Sequence, residues 1–240
     1  MKKIIIPILC IATLTFTSCK KKDKDNPHYT CSSCVTQAEA LAANDGSSKG
    51  VYKGILIGSS GTIKFSIQNG TNDITATMVV DGVSAILTST VSWVSGQPYI
   101  APFTGTLNGQ AVSITFSVQN NGSTPQIISS NIPGHPNAVF TIIKETSNAL
   151  VEGFEGTYST TEPETGTFNI LLSRPLGQWG GISRENGQTA TNDVSGTITS
   201  SGDLFNDNNI KVATLSGDDI DGTFTDNSGN TVTVDGKRTL

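Results

Sequence analysis

Residues 51–57 read VYKGILI, and residues 61–67 read GTIKFSI after a short connection of Gly and Ser. In the second segment apolar and polar residues alternate, as they do in a strand with one buried face. A short connection containing Gly is typical of a hairpin loop. We therefore predict two antiparallel strands here, and this hairpin decides the fold class expected for the chain.

The same pattern returns later in the chain, as GFEGTY at 153–158 and GTFNILL at 166–172. The matching residues Gly54 and Gly156 are 102 positions apart. A second echo links FTGTL and AVSI (103–107 and 111–114) with IDGTF and TVTV (220–224 and 231–234), at an offset that begins at 117. Such self-similarity predicts a duplicated β unit.

The rest of the chain after residue 50 also reads as short strands between turns rich in Gly and Asn. We predict an all-β protein, an antiparallel meander that curls into a barrel or a sandwich. The predicted β units are 51–145 and 146–240, either as two similar bodies of about 95 residues or as halves of one barrel. The predicted strands are 51–57, 61–68, 73–80, 83–94, 103–107, 111–118, 138–144, 154–159, 166–173, 179–184, 194–199, 210–215, 219–225 and 230–236.

The composition supports this class and restricts the function. The 240 residues include 25 Gly and 32 Thr, which suits strands joined by tight turns. Residues 146–240 hold five basic and thirteen acidic side chains, so nucleic acid is not an expected partner.

The first residues have the features of an export signal. Lys2 and Lys3 precede an apolar segment from Ile4 to Phe16, which is too short to span a bilayer about 30 Å thick. Small residues then lead to Cys19, and the segment resembles a bacterial lipobox, with Phe16 where Leu is usual. The resemblance implies a signal peptide at 1–18 and a lipid, palmitate included, on Cys19. The alternative is an ordinary cleaved signal whose Cys is incidental.

Residues 19–50 then read as an acylated tether. Ser-Cys followed by Lys and Asp is similar to the start of lipoproteins of the Bacteroidota. The resemblance covers only the first 25 or so residues. It implies a lipid-anchored protein of the outer membrane, on either the periplasmic or the cell-surface face, with the lysines near the lipid headgroups.

The tether contains Cys31 and Cys34, which are expected to form a disulfide in an exported chain. Haem attachment would need His where Val35 stands, and a redox site would need a βαβ setting. A metal site with His28 remains an alternative. Residues 35–43 contain good helix formers and predict a short helix, followed by a linker at 44–50.

Two tryptophans are candidates for contact with a ligand. Trp179 lies among glycines in what reads as a loop, and Trp93 precedes another irregular stretch. Exposed aromatic rings bind sugars and small apolar molecules in barrel mouths. Trp93 also fits the core, because it shares a strand face with Val91.

Four aspartates are candidates for a cation site: Asp218, Asp219, Asp221 and Asp226. Carboxylate oxygens suit Ca²⁺, although their spacing matches no EF-hand. Aspartates are also common in turns. No other cofactor is expected.

Catalytic signals are weak in this sequence. It has two His and no Gly-x-Ser-x-Gly motif, so a hydrolase is the least favoured reading. We expect a membrane-anchored cell-envelope lipoprotein with a non-catalytic β-module for binding or envelope structure. The main alternative is a barrel that binds a glycan or a small hydrophobic molecule.

Overall fold

A computed structural model describes residues 28–58 and 60–240 of the chain. They form sixteen strands in two antiparallel sheets of eight. The predicted all-β antiparallel fold is confirmed, in its barrel form. The signal segment 1–18 and Cys19 lie outside the described residues.

The first sheet is a nearly closed barrel. Its strands are β1 Gly50–Ile57, β2 Gly61–Ile67, β3 Ile74–Val80, β4 Val83–Thr88, β5 Tyr99–Leu107, β6 Gln110–Val118, β7 Gln126–Asn131 and β8 Val139–Glu145. Each of β1 to β6 pairs with the next strand, and β8 pairs with β1, so β7 and β8 are the two edges of the sheet. The edge strands β7 and β8 lie next to each other.

The second sheet is a closed barrel. Its strands are β9 Glu152–Thr160, β10 Thr165–Ser173, β11 Gln178–Glu185, β12 Asn192–Ile198, β13 Asp203–Asn206, β14 Lys211–Ser216, β15 Asp219–Thr225 and β16 Thr231–Arg238. Each strand pairs with the next, and β16 closes the ring on β9. The described strands therefore form two sheets and do not share one barrel.

The repeated motif forms the first hairpin of each barrel. In the second barrel Gly156 faces Phe168 across the β9–β10 ladder, and Gly166 faces Tyr158. A Cβ atom on Gly166 would lie 2.4 Å from a ring carbon of Tyr158. Glycine is therefore required at both positions, because the aromatic ring of the facing residue occupies the space that a side chain would need.

The two segments of the second sequence echo do not occupy equivalent positions in the two barrels. Residues 103–114 belong to the hairpin of β5 and β6, which are the fifth and sixth strands of their barrel. Residues 220–234 belong to β15 and β16, the seventh and eighth strands of theirs. The larger offset reflects two different hairpins, because alternating Gly-Thr patterns suit any hairpin with one buried face.

Most of the predicted strands are present, but the sequence missed β7 and β13. β7 is an edge strand whose residues are almost all exposed, so it has no clear apolar alternation. The predicted strand 83–94 ends at Thr88, where the chain leaves the sheet, and β5 begins at Tyr99 rather than at residue 103.

The interior of the first barrel is filled. The rings of Phe65 and Phe116 stack with centroids 4.5 Å apart, and Phe103 contacts Phe65 edge-on at 4.9 Å. Tyr52 contacts Phe116 at 5.1 Å. All four side chains are buried, so this barrel has a dense aromatic core.

The two barrels pack against each other through a small apolar cluster. It joins Ile55 and Ile57 of β1 to Leu171 of β10 and Ile182 of β11. The Arg184 guanidinium also donates to the carbonyl of Asn137 at 2.9 Å. These contacts use the outer face of the second barrel and leave its interior free.

Residues 28–49, which we name the strap, lie along both barrels. The prediction of a flexible tether is wrong for this part of the chain, because Cys31 and Glu39 donate backbone hydrogen bonds to Asp218 and Glu145. The predicted helix at 35–43 is also wrong. It reduces to one 3₁₀ turn at Ala42–Asn44, because the strap's amides bind side chains of the barrels instead.

A buried ion pair joins the strap, the first barrel and the link between the barrels. Lys53 Nζ lies 2.7 Å from Glu145 Oε2, and both side chains are fully buried. Glu145 Oε1 accepts from the amide of Glu39, and Oε2 accepts from the amide of Val151. Lys53 also donates to the Val151 carbonyl at 3.2 Å.

A third charge borders this pair. Burial raises the pKa of Glu39, but the nearby ammonium groups of Lys64 and Lys53 outweigh that effect and hold the pKa below its ordinary value. Glu39 is therefore an anion when it contacts both lysines.

In the described part of the chain, no helix is long and apolar enough to cross a membrane.

Replacement of Lys53 by Met is predicted to lower the free energy of unfolding by about 3–5 kcal/mol, because it leaves the Glu145 carboxylate buried without its cation. Urea denaturation measures the change. A matched control is Lys211→Met, because the ion pair of Lys211 with Asp203 is accessible to solvent and its loss should change the stability far less. Equal small losses in the two variants would contradict the role given to Lys53.

Candidate ligand-binding cavity

The second barrel is hollow at one end. Its cavity has a volume of about 820 Å³ and is open to solvent. Apolar and aromatic side chains form most of its wall. They are Phe168, Ile170, Trp179, Val194, Leu204, Val212, Ala213, Ile220, Phe224, Val232 and Val234.

Residues without a side chain, or with a small one, recur in the wall of the second barrel. Side chains of a barrel strand alternate between the interior and the exterior. A Cβ atom on Gly181, Gly196 or Gly222 would lie 1.8–2.2 Å from a carbonyl oxygen of the neighbouring strand, so these glycines permit close strand pairing. On β14 the lining residue Ala213 has only a methyl group.

The other end of the second barrel is filled and closed. Phe154, Leu172, Ile198 and Leu215 are buried there and do not line the cavity. The buried Glu152 carboxylate closes this end by accepting from the guanidinium groups of two arginines. The cavity therefore has one opening, which we name the mouth, among the loops 161–164, 186–191, 207–210 and 226–230.

Trp179 contributes to the cavity wall, but from a strand. The expected loop is wrong, since the residue lies in β11, where flanking glycines pair with β10 and β12. Its indole Nε1 donates to the carbonyls of Thr197 and Phe205, each at 3.1 Å. The ring is thereby fixed against the barrel wall, with its donor already satisfied.

Trp93 lies elsewhere and does not line this cavity. It packs on the core of the first barrel, outside any strand. Its Nε1 donates to Ser48 Oγ at 2.9 Å, and Lys49 Nζ lies 4.1 Å from the ring centroid. Trp93 therefore joins the strap to the first barrel.

The mouth is polar and acidic. Its carboxylates, which we name the rim carboxylates, belong to Glu164, Asp193, Asp207 and Asp226. The Tyr158 hydroxyl donates to Glu164 Oε1 at 3.0 Å. Burial, together with the hydrogen bond to Glu164 and the charges of Glu164 and Glu185, raises the pKa of Tyr158 to about 12.

The four aspartates considered for a cation are not gathered into one site. Asp218 and Asp219 accept the backbone amides of Cys31 and Tyr29 from the strap. Asp226 accepts two amides of its own turn at the mouth. Among residues 28–58 and 60–240, no three His, Cys, Asp or Glu side chains are grouped so that they could hold a metal ion.

Asp221 has a different environment from the other three. It pairs with Asp235 across β15 and β16, on the outer face of the barrel. Burial and the charges of Asp235 and Asp219 raise the pKa of Asp221 above its ordinary value.

Cys31 and Cys34 form a disulfide, as the sequence predicts, with their Cα atoms 5.3 Å apart. It closes a tight turn at the beginning of the strap. The Cys31 amide in this turn donates to Asp218, so the turn is held against the closed end of the second barrel.

A second, polar groove of about 630 Å³ lies between the barrels. Its ionisable side chains include His135, Glu155, Arg184 and Glu185. Burial raises the pKa of Glu155, and the carboxylate of Asp81 adds to the increase. Arg184 uses its guanidinium to hold the two barrels together, as described above.

Sequence reasoning found Trp179 but missed most of the cavity. Tyr158, Phe168 and Phe224 were visible as apolar members of alternating strands, and that alternation within each strand was the signal that they face an interior. The sequence did not show that one interior is packed and the other is hollow. That difference depends on the sum of many facing side chains.

The geometry defines a class: an eight-stranded antiparallel barrel with an apolar cavity open at one end. Comparisons with protein-family models, curated proteins and solved structures find no significant match to this chain. Its function is therefore inferred from the cavity and from the N-terminal sequence.

Proposed function

We propose that this chain is a non-catalytic, lipid-anchored protein of the cell envelope whose second barrel binds a small molecule with an apolar body. The observation that carries the proposal is the apolar cavity of about 820 Å³ in that barrel. Binding sites for small molecules commonly have volumes of about 300–1,000 Å³ and mostly apolar walls.

The contrast between the two barrels supports a binding role. Both have eight strands, yet the first is filled by stacked aromatic rings and the second is filled only at one end. An unfilled interior loses dispersion contacts, which costs stability. A ligand that enters the cavity restores those contacts, and the filled barrel serves as the rigid support.

The cavity wall favours a small hydrophobic molecule over a glycan. A sugar needs several hydrogen-bonding partners along the wall, because burying an unpaired hydroxyl is costly. Here apolar atoms form the greater part of the wall, and the indole donor of Trp179 is already used. Polar groups are concentrated at the mouth.

The proposed lipid anchor comes from the N-terminal sequence. The lipobox-like segment ends at Cys19, nine positions before His28, where the strap begins. A fully extended chain of nine residues spans at most about 30 Å. An acylated Cys19 would therefore keep both barrels near the bilayer, which the resemblance to Bacteroidota lipoproteins places at the outer membrane.

The strap also suggests how the anchored protein is oriented. Its first residues contact Asp218, Asp219 and Arg238, all at the closed end of the second barrel. The anchor thus leads to the end opposite the mouth. In this arrangement the mouth opens away from the membrane, where it can exchange ligand with the aqueous phase.

The binding proposal predicts that the neutral fluorescent probe N-phenyl-1-naphthylamine enters the second barrel. The protein for this test is the chain of residues 19–240 with Cys19→Ser, which carries no lipid. Filling the cavity with Ala213→Phe is expected to weaken probe binding by about tenfold or more, because the probe loses its space. A fluorescence titration measures the dissociation constants.

The matched control for this titration is Ile86→Phe, which adds the same ring to an exposed position on the first barrel. It should leave the affinity unchanged. Equal affinities for Ala213→Phe and the parent protein, or no binding at all, would refute a ligand site in the cavity.

The anchor proposal predicts that cells fed an alkyne-palmitate analogue label the wild-type chain and not Cys19→Ser. Cys31→Ser/Cys34→Ser should keep the label, because those residues form the disulfide and are not the acylated thiol. Gel fluorescence after click coupling measures incorporation. Equal labelling of wild type and Cys19→Ser, or none in either, would rule out this anchor.

A further inference from the structure

The charges around the cavity have one sign. Its charged lining residues are the four rim carboxylates, and the lining includes no Lys, Arg or His within the described residues. These carboxylates come from four separate parts of the chain: the β9–β10 loop, β12, the β13–β14 loop and the β15–β16 loop. The ring of strands brings them to the same opening.

Within residues 28–58 and 60–240, no ion pair neutralises these four groups. The ion pairs found in the described part of the chain involve other carboxylates, such as Asp203 with Lys211. Glu164 accepts from the Tyr158 hydroxyl, and Asp207 accepts from the Ser195 hydroxyl. Neutral donors orient these side chains but leave their negative charge in place.

The apolar wall strengthens the effect of the rim charges. Field lines from charges at the opening of a low-dielectric cavity are focused into it, so a ligand in the mouth experiences them more strongly than it would on an open surface. Ionised carboxylates also accept hydrogen bonds and cannot donate them. A ligand head placed there must therefore be a donor, and a positive charge fits best.

We propose that the ligand is an amphiphilic cation, with an apolar body inside the second barrel and an ammonium-type group between the rim carboxylates. This inference rests on the proposed function, because it specifies the ligand of the same cavity. Fatty acids and other apolar anions are disfavoured, since their carboxylate would meet four like charges. Neutral apolar molecules should bind with intermediate affinity.

The test uses three probes that share a ten-carbon chain and differ in head group: decylamine, decanol and decanoate. Each displaces N-phenyl-1-naphthylamine from residues 19–240 with Cys19→Ser, at neutral pH, low ionic strength and concentrations below micelle formation. Decylamine is expected to bind about tenfold or more tightly than decanoate, with decanol between them. Added salt should reduce the difference, because the rim is exposed to solvent.

Two double variants test whether the preference for decylamine over decanoate comes from the rim carboxylates at the mouth. Glu164→Gln/Asp193→Asn removes two rim charges while keeping similar shapes, and should reduce the cation preference about threefold or more. Asp221→Asn/Asp235→Asn removes two charges from the outer face of the same barrel, where both residues are exposed, and is the matched control. The control should keep the full preference.

The outcomes separate this inference from the proposal on which it rests. A cation preference that falls in the rim variant and persists in the control supports the inference. Equal or tighter binding of decanol and decanoate overturns it while the ligand-binding barrel stands. A preference that falls equally in both variants also overturns it, because the charge effect would then be general. Failure of the neutral probe to bind overturns the proposed function itself.

Discussion

The buried ion pair of Lys53 and Glu145 is the contact on which the arrangement of the whole chain depends. Taking two charges out of water costs several kcal/mol, so the pair persists only because its remaining hydrogen-bonding capacity is satisfied. The partners that satisfy it are backbone groups of the strap at Glu39 and of the inter-barrel link at Val151. One pair therefore fixes the first barrel, the strap and the start of the second barrel relative to each other, and it favours this arrangement over others that would leave a charge unpaired.

The two barrels that this ion pair holds together differ in how their interiors are filled. In the first, Phe65, Phe103 and Phe116 occupy the interior and make it a packed support. In the second, a cavity remains at one end, and Ala213 contributes only a methyl group to its wall. The same meander of eight strands thus yields a solid body and a hollow one, and the difference depends on side-chain volume rather than on topology. The closed end of the hollow barrel faces the strap, which leaves the mouth free.

The sequence predicted those parts of the fold that depend on local pattern. The hairpin of β1 and β2 and its copy in β9 and β10 were predictable because alternation and Gly placement specify strand faces and turns. The short β13, interrupted by a bulge at Leu204, was not, since four residues carry too little pattern. The surroundings of Trp179 resembled a loop because glycines are common in turns, although a strand was predicted from 179; in β11 Gly180 and Gly181 pair with β10 and β12. The fixed conformation of the strap could not be predicted from local sequence, because it depends on contacts such as that of Glu39 with Glu145, which are 106 positions apart.

The central claim is that one barrel is packed and the other is hollow, and matched overpacking tests it most directly. Ala76 is buried in the first barrel's core, and Ala213 lines the cavity of the second. Urea denaturation of Ala76→Phe and Ala213→Phe measures what each interior can accommodate. The account predicts a loss of about 1–3 kcal/mol or more for Ala76→Phe, where a ring must displace neighbours, and less than about 0.5 kcal/mol for Ala213→Phe. Equal losses in the two variants would contradict it, because they would mean that the second barrel has no room for a ligand.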